Sequence, residues 1–234
     1  MTHDDDLKLA KSVTLSSQAH NSDRTYLERS LKQVQQDVLR MGTLVEQSFR
    51  LSHRCLFTRD VQAIDTITYL EKRIDKYYRK IEQDCATLMT LQAPVAQDLR
   101  LLSAFMQLVR DLERIGDYAQ DLSEMGLKLI KYPPHFCMNQ IEAMSEHAQL
   151  MLATSLVALA DLDAHAGESI KELDDVVDDA YEKLYNLLAY QKDVPGVVEP
   201  LLLLGLILRH LERMADHATN IGQRVSYIVT GRRK

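Results

Sequence analysis

Two segments set 99 residues apart carry nearly the same string, RDLERIGDYAQDL at residues 110–122 and RHLERMADHATNI at residues 209–221. Arg, Leu, Glu-Arg, Asp and Ala keep their spacing in both. A second register, at an offset of 103, pairs Leu70-Glu71, Ile74-Asp75, Tyr78 and Lys80 with Leu173-Asp174, Val177-Asp178, Tyr181 and Lys183. The offsets differ because the loops differ: Pro94 and Pro195 sit at different places in the two halves. A chain that repeats itself in this way is built from two copies of one unit, with Pro133-Pro134 at the join.

Each unit reads as three helices. From Arg24 onward apolar residues recur at helical spacing, as in Leu27, Leu31, Val34, Val38, Met41, Val45 and Phe49. Turn formers or helix breakers interrupt the pattern at Thr58 to Asp60, Gln92-Ala93-Pro94, Tyr132-Pro133-Pro134, Asp163 to Gly167 and Asp193-Val194-Pro195-Gly196. The expected helices cover roughly 24–57, 60–90, 96–131, 136–162, 166–191 and 198–230. Five Pro and eight Gly in 234 residues are too few for many strands and tight turns. The fold class is therefore all-α, six long helices forming two similar three-helix bundles at residues 23–132 and 135–230. Residues 1–22, polar and outside the first apolar stripe, are expected to be a mobile N-terminal tail.

Composition removes several functions. The net charge of −6 leaves no basic footprint for nucleic acid. Cys55, Cys85 and Cys137 are odd in number, widely spaced and free of any C-x-x-C pair, which argues against a disulfide framework or a thiolate zinc site and fits a reducing cytosol. The longest apolar run, Leu201 to Leu208, falls far short of the roughly 20 residues needed to span a bilayer. The opening Met1-Thr2-His3-Asp4-Asp5-Asp6 is acidic where a secretory signal would be basic, so the chain is expected in the cytoplasm.

On a wheel of about 100° per residue, Glu113, Asp117 and Asp121 oppose the stripe made by Phe105, Leu108, Leu112, Ile115 and Ala119. The sixth helix repeats this with Glu212 and Asp216 opposite Ile207, Leu211, Met214 and Ala218. Glu71 with Asp75, and Asp174 with Asp178, flank the stripes of the second and fifth helices. If the second and third helices of each unit are neighbours, four carboxylates converge on one outward surface per unit. These are Glu71, Asp75, Glu113 and Asp117, then Asp174, Asp178, Glu212 and Asp216. Like charges four apart repel by a few tenths of a kcal/mol, and a cation would relieve them. Oxygen donors suit Mg²⁺, Ca²⁺, Mn²⁺ or iron. The alternative is a solvated ion-pair ladder in which Arg110, Arg114, Arg209 and Arg213 neutralise the same carboxylates.

Other features weigh less. His210 and His217 fall away from Glu212 and Asp216 on the wheel and read as boundary residues. Leu88, Leu91, Gln92, Pro94 and Val95 form an apolar corner that closes a turn or docks a partner. Met41, Met89, Met106, Met125, Met144, Met151 and Met214 read as core filler. No phosphate-loop or nucleophile-elbow motif occurs. A di-metal carboxylate enzyme on a helical bundle would need Glu-x-x-His pairs, and no Glu here has His three residues on.

LVEQSF at 44–49, LQAPVAQDLR at 91–100, DLERIGDYAQDL at 111–122 and HLERMADHATNI at 210–221 resemble the PhoU family, phosphate-signalling regulators associated with the phosphate-specific ABC transporter. The likeness runs from about Leu27 to Ile228. It implies two similar three-helix bundles, metal clusters held at Glu71, Asp75, Glu113, Asp117, Asp174, Asp178, Glu212 and Asp216, a homodimer, and no catalysis. It further implies an adaptor that restrains the transporter's cytoplasmic subunit and the sensor histidine kinase when phosphate is plentiful, reaching the membrane only through these partners. Arg100, Arg110 and Arg114, near the apolar corner at Leu91 to Leu99, are expected at the protein contact. Asp174 and Asn220 stand where the first unit has Glu71 and Asp121, so the two metal sites need not fill equally. Asp193 to Pro200 does not repeat the LQAPVAQDLR corner, which confines any role of that corner to the first unit.

Overall fold

The computed structural model describes the backbone of residues 3–192 and 196–232, and the side chains of residues 24–165, 169–192 and 196–232. The apolar periodicities become six helices: α1 His3–Phe57, α2 Ala63–Gln92, α3 Ala96–Leu129, α4 Met138–Asp161, α5 Ala166–Ala189 and α6 Glu199–Thr230. Breakers act where the sequence places them. α2 stops at Ala93 before Pro94, α4 stops at Leu162, and α6 opens with a proline in its first turn and closes on Gly231. The expected break at Asp193 to Pro195 lies outside the described residues. α1 differs from expectation, being helical from His3 rather than from about Arg24. Its first two turns and beyond contain no Pro or Gly to stop a helix that the apolar stripe from Leu27 has already nucleated. The tail expected over residues 1–22 falls where side chains lie outside the description.

α1, α2 and α3 pack on one another, and α4, α5 and α6 do the same. The units meet through α3 on α6 and α1 on α4, while among the described residues α2 and α5 touch only helices of their own unit. Phe49, Phe105, Ile115, Ile141, Met151 and Leu208 belong to one apolar core that runs through both units. Gly42 of α1 faces Leu156 of α4, whose methyl occupies the space that a β-carbon on Gly42 would take. All three cysteines are buried thiols. No helix among the described residues is long and apolar enough to cross a membrane.

Equivalent helices meet across the join, and they do so with pseudo-twofold order. Asp111 accepts a 2.9 Å hydrogen bond from the ring of His217, and Tyr118 lies against His210 with ring centroids 4.9 Å apart. Since His210 is the counterpart of Asp111 and His217 of Tyr118 at the offset of 99, each contact is the other's image under exchange of the repeats. α3 and α6 run antiparallel here, with Gln107 meeting Arg224 at one end and Asp121 lying 3.9 Å from His210 at the other.

Candidate functional site

Each repeat carries a groove between its second and third helices, and the predicted carboxylates line it. In the first, Gly116 of α3 sits under Ile74 of α2, so that an added β-carbon would stand 3.1 Å from the Ile74 Cδ1. That close approach brings Glu71 and Asp75, which flank Ile74, up to Glu113 and Asp117, which flank Gly116. Glu71 is pushed up from the ordinary carboxylate range by burial and by the charges of Asp75 and Asp117. Glu113 is raised by burial and by Asp117 and Asp75, and Asp117 by burial and by Asp75 and Asp121. The four carboxylates therefore feel one another across two helices.

The second groove does the same with α5 and α6. Asp174 is raised by burial and by Asp178 and Asp216, Asp178 by burial and by Asp216, and Glu212 by burial and by Asp216 and Asp178.

Compensation differs between the grooves. Arg79 reaches Asp75 at 2.5 Å, and Arg114 reaches Asp117 at 3.3 Å and Glu113 at 3.6 Å. In the second groove Arg209 reaches Glu212 at 2.6 Å, and no other ion pair meets the four carboxylates among the described residues. Glu212 Oε2 is buried without a hydrogen-bond partner, and buried Asp174 Oδ1 has only the Thr219 hydroxyl nearby to ease its charge. Such oxygens are costly to bury, and they are the observation that fits a hard cation in this groove. Among the described residues no three His, Cys, Asp or Glu side chains already close around an ion-sized point, so a cation would draw the carboxylates together.

Glu113 and Glu212 do not point straight out to solvent, which corrects the wheel, while Asp178 is exposed as expected. The side chains of Glu113 and Glu212 are only 18% and 14% exposed. α3 packs on α1, α2 and α6 at once, and its buried set includes Leu102, Val109, Asp111 and Met125, well outside the stripe of Phe105, Leu108, Leu112, Ile115 and Ala119. The buried arc exceeds half the helix circumference and leaves the carboxylates at its rim.

The three arginines expected at a protein contact do not form one patch. Arg100 lies against Gly231 with its Nε buried and unpartnered, while Arg110 and Arg114 line a cleft between α3 and α6. The apolar corner is open: Leu91 is 71% exposed and Val95 75%. Its backbone holds Ala93 and Ala96 in the left-handed region, at φ 42° and 48°.

Asp111 was missed in the sequence. It is buried and receives Arg224 Nε at 2.8 Å as well as His217. The signal lay in the aligned repeats, where Asp111 against His210 and Tyr118 against His217 are places at which chemical character changes between otherwise matching strings.

Fold and site together define a class: a duplicated all-α scaffold whose halves each hold a half-buried groove of four carboxylates. The PhoU domain profile matches the chain twice, at residues 38–125 and 141–225. A protein of Synechocystis sp., "Phosphate-specific transport system accessory protein PhoU homolog", is 64% identical over 222 residues, 95% of this chain and 99% of that one. A Deinococcus radiodurans protein of the same description is 30% identical, covering 90% and 100% of the two chains. The crystal structure of PhoU from Pseudomonas aeruginosa superposes with a TM-score of 0.83 at 30% identity, over 88% of this chain and 99% of that one. The chain belongs to the PhoU domain family.

Proposed function

We propose that this chain is a non-enzymatic accessory protein of a phosphate-specific transport system, acting from the cytoplasmic face of the membrane. It restrains the transporter's cytoplasmic subunit and holds the sensor histidine kinase of the phosphate two-component system in its inactive mode while phosphate is plentiful. The observation that carries this reading is near full-length similarity, at 64% identity, to a protein described as an accessory of that system. The corner at Leu91, Val95 and Leu99 supports it as a docking point, being exposed and apolar. Arg110 and Arg114 lie 11 and 15 residues along α3 from Leu99 of the corner, about 16–22 Å at 1.5 Å per residue. A partner with a standard footprint of about 800 Å² reaches both. Self-association has a matching strip on α6, where Val198, Leu202 and Leu206 are exposed at four-residue spacing.

The acidic grooves act in this reading as cation sites that set the charge and rigidity of the scaffold. Mg²⁺, Ca²⁺, Mn²⁺ or iron would sit among Glu71, Asp75, Glu113 and Asp117, and among Asp174, Asp178, Glu212 and Asp216. Deletion of the gene tests the regulatory role: a phosphate-starvation reporter should become constitutively high in phosphate-rich medium. A reporter that stays repressed overturns it. Docking is tested by a pull-down of kinase and transporter subunit with Leu91→Glu plus Val95→Glu, with Arg100→Glu, and with Arg110→Glu plus Arg114→Glu. Full capture by all three variants, with helicity intact, removes the proposed contact surface.

A further inference from the structure

The cleft between α3 and α6, of about 670 Å³, is walled by Arg110, Arg114, Arg213 and Arg224, with Asp111 and His217 at its side. Four guanidinium groups and one carboxylate line this hollow of a chain whose net charge is −6. Arg224 is paired with Asp111 and Arg114 with Asp117 and Glu113, which leaves Arg110 and Arg213 outside any ion pair among the described residues. The single carboxylate is already engaged, since Asp111 is buried and takes both Arg224 and His217. It therefore orients the wall rather than neutralising it. Arg224 is fixed further by donating to Gln107.

The remaining arginines are unequal in a telling way. Arg114 leans toward carboxylates of its own helix, at 3.3 and 3.6 Å. Arg110 makes no hydrogen bond or ion pair within the chain among the described residues, although its counterpart Arg209 binds Glu212. Arg213 makes no ion pair among the described residues and has the Tyr118 hydroxyl as its side-chain partner. Arg110 and Arg114 stand four apart on α3, a spacing at which like charges repel. Arg213, their neighbour across the cleft, adds to that repulsion from α6. A guanidinium fork cannot shed its charge, and it pairs bidentately with tetrahedral oxyanions. The volume lies within the 300–1,000 Å³ typical of small-molecule sites, about the size needed for a compact anion and its water.

We infer that this cleft is a binding site for a small phosphate-bearing anion, held by Arg110 and Arg213 from opposite repeats and completed by Arg114 and the Asp111-anchored Arg224. The chemistry is that of the phosphoryl oxyanion, which orthophosphate and phosphoanhydrides such as pyrophosphate or ATP share. A side chain from a docking protein brings one negative charge, whereas a phosphate dianion or a phosphoanhydride brings two or more, enough for both Arg110 and Arg213. The bound anion ties α3 of one repeat to α6 of the other and stiffens the join. This assignment stands on the cleft alone and does not need the regulatory reading.

Calorimetric titration of the purified full-length chain with orthophosphate, pyrophosphate and ATP, at fixed ionic strength with chloride as control, tests it, alongside thermal melting. Saturable binding of at least one of these anions is expected, with a rise in melting temperature that chloride does not give. Orthophosphate alone or the phosphoanhydrides alone would identify the source. Arg110→Gln with Arg213→Gln should weaken the affinity at least tenfold, and neither change removes an ion pair that holds the fold. Single Arg110→Gln should weaken it less, and exposed Arg29→Gln on α1 should leave it unchanged. Circular dichroism of each unliganded variant checks that helicity is retained. No saturable binding, a melting shift equal to that in chloride, or equal affinity in a folded double variant would overturn the inference. So would capture of a phosphopeptide by a chain that ignores all three small anions.

Discussion

The two acidic grooves share a backbone plan and differ in how their charge is balanced. The first sets Arg79 and Arg114 against Asp75, Asp117 and Glu113, whereas the second, among the described residues, has only Arg209 on Glu212. The second also leaves Glu212 Oε2 buried without a partner and Asp174 Oδ1 with no more than the Thr219 hydroxyl beside it. Duplication supplied the same four carboxylates to both halves, but only one half grew most of its own counter-ions. The first groove can stand alone as an ion-pair ladder, and the second is the stronger demand for a cation.

Widening the first groove is the most drastic way to break this comparison. Gly116→Val forces side-chain atoms into Ile74 and should cost about 2 kcal/mol, the order expected for overpacking. The counterpart of Gly116 in the second repeat is Ala215, where a methyl is already accommodated. Urea denaturation measures the loss, and Mn²⁺ titration should show the second groove still competent. Next, Asp178→Asn with Asp216→Asn should lower Mn²⁺ affinity at least tenfold, and Asp75→Asn with Asp117→Asn should lower it less. Electron paramagnetic resonance of free Mn²⁺ reads both, and equal losses would erase the proposed difference.

Stability without metal sharpens the contrast. In chelator at neutral pH, Asp174→Asn should stabilise the chain by about 1 kcal/mol, because it removes a poorly compensated buried charge. Asp75→Asn forfeits the exposed Arg79 pair and should cost between about 0 and 1 kcal/mol. The two substitutions are thus expected to move the urea midpoint in opposite directions.

The corners of the two repeats differ as well. The second turns with Gly196 at φ 84°, while the first puts Ala93 and Ala96 in the left-handed region. L-residues sit there at a cost of about 1–2 kcal/mol each. Ala93→Gly should therefore stabilise the chain by up to about 1 kcal/mol, after the entropy a glycine adds to the unfolded state, as a higher melting temperature would show.

The smallest effect is on pH dependence. Glu71, Glu113, Asp117, Asp174, Asp178 and Glu212 all have raised native pKa values, with burial the largest cause in each. As pH rises above the unfolded carboxylate range, near 4, the native state holds protons that the unfolded state has released. Stability from these groups is therefore full in acid and is lost as pH rises through their native pKa values. Asp37 works the other way. Burial raises its pKa, but hydrogen bonds from Lys80, Gln33 and Arg40 outweigh that and hold it below the usual range, so its contribution is lost as pH falls. Melting in chelator from pH 7.5 to 5.0 should show a shallow gain, flattened in an Asp174→Asn, Asp178→Asn, Glu212→Gln variant.

Much of this architecture was readable in the chain. The periodicity from Leu27 to Phe49, the breakers at Pro94 and Pro133-Pro134, and the repeated strings define the six helices and their grouping. The convergence of Glu71 and Asp75 with Glu113 and Asp117 followed from register once α2 and α3 are neighbours, as their packing shows. The half-buried state of Glu113 and Glu212 did not, because a single-helix wheel assigns one buried face and α3 has three packed neighbours. The Asp111, His217 and Arg224 contacts were hidden for another reason: they join residues more than 100 positions apart, where no local pattern reports which faces meet. The start of α1 at His3 shows that a polar stretch without a breaker continues a helix already begun.

The pairing of like helices across the join is the geometry of two subunits docked face to face, here bound by one peptide chain. In a true homodimer every contact of this kind occurs twice with identical partners. Covalent linkage removes that restriction, so one copy of the contact is free to become acid with imidazole, Asp111 with His217, while its image becomes phenol with imidazole, Tyr118 with His210. A fused pair of this sort has a left and a right hand. It can present unlike faces to unlike neighbours, which no symmetric assembly of a single three-helix unit could do.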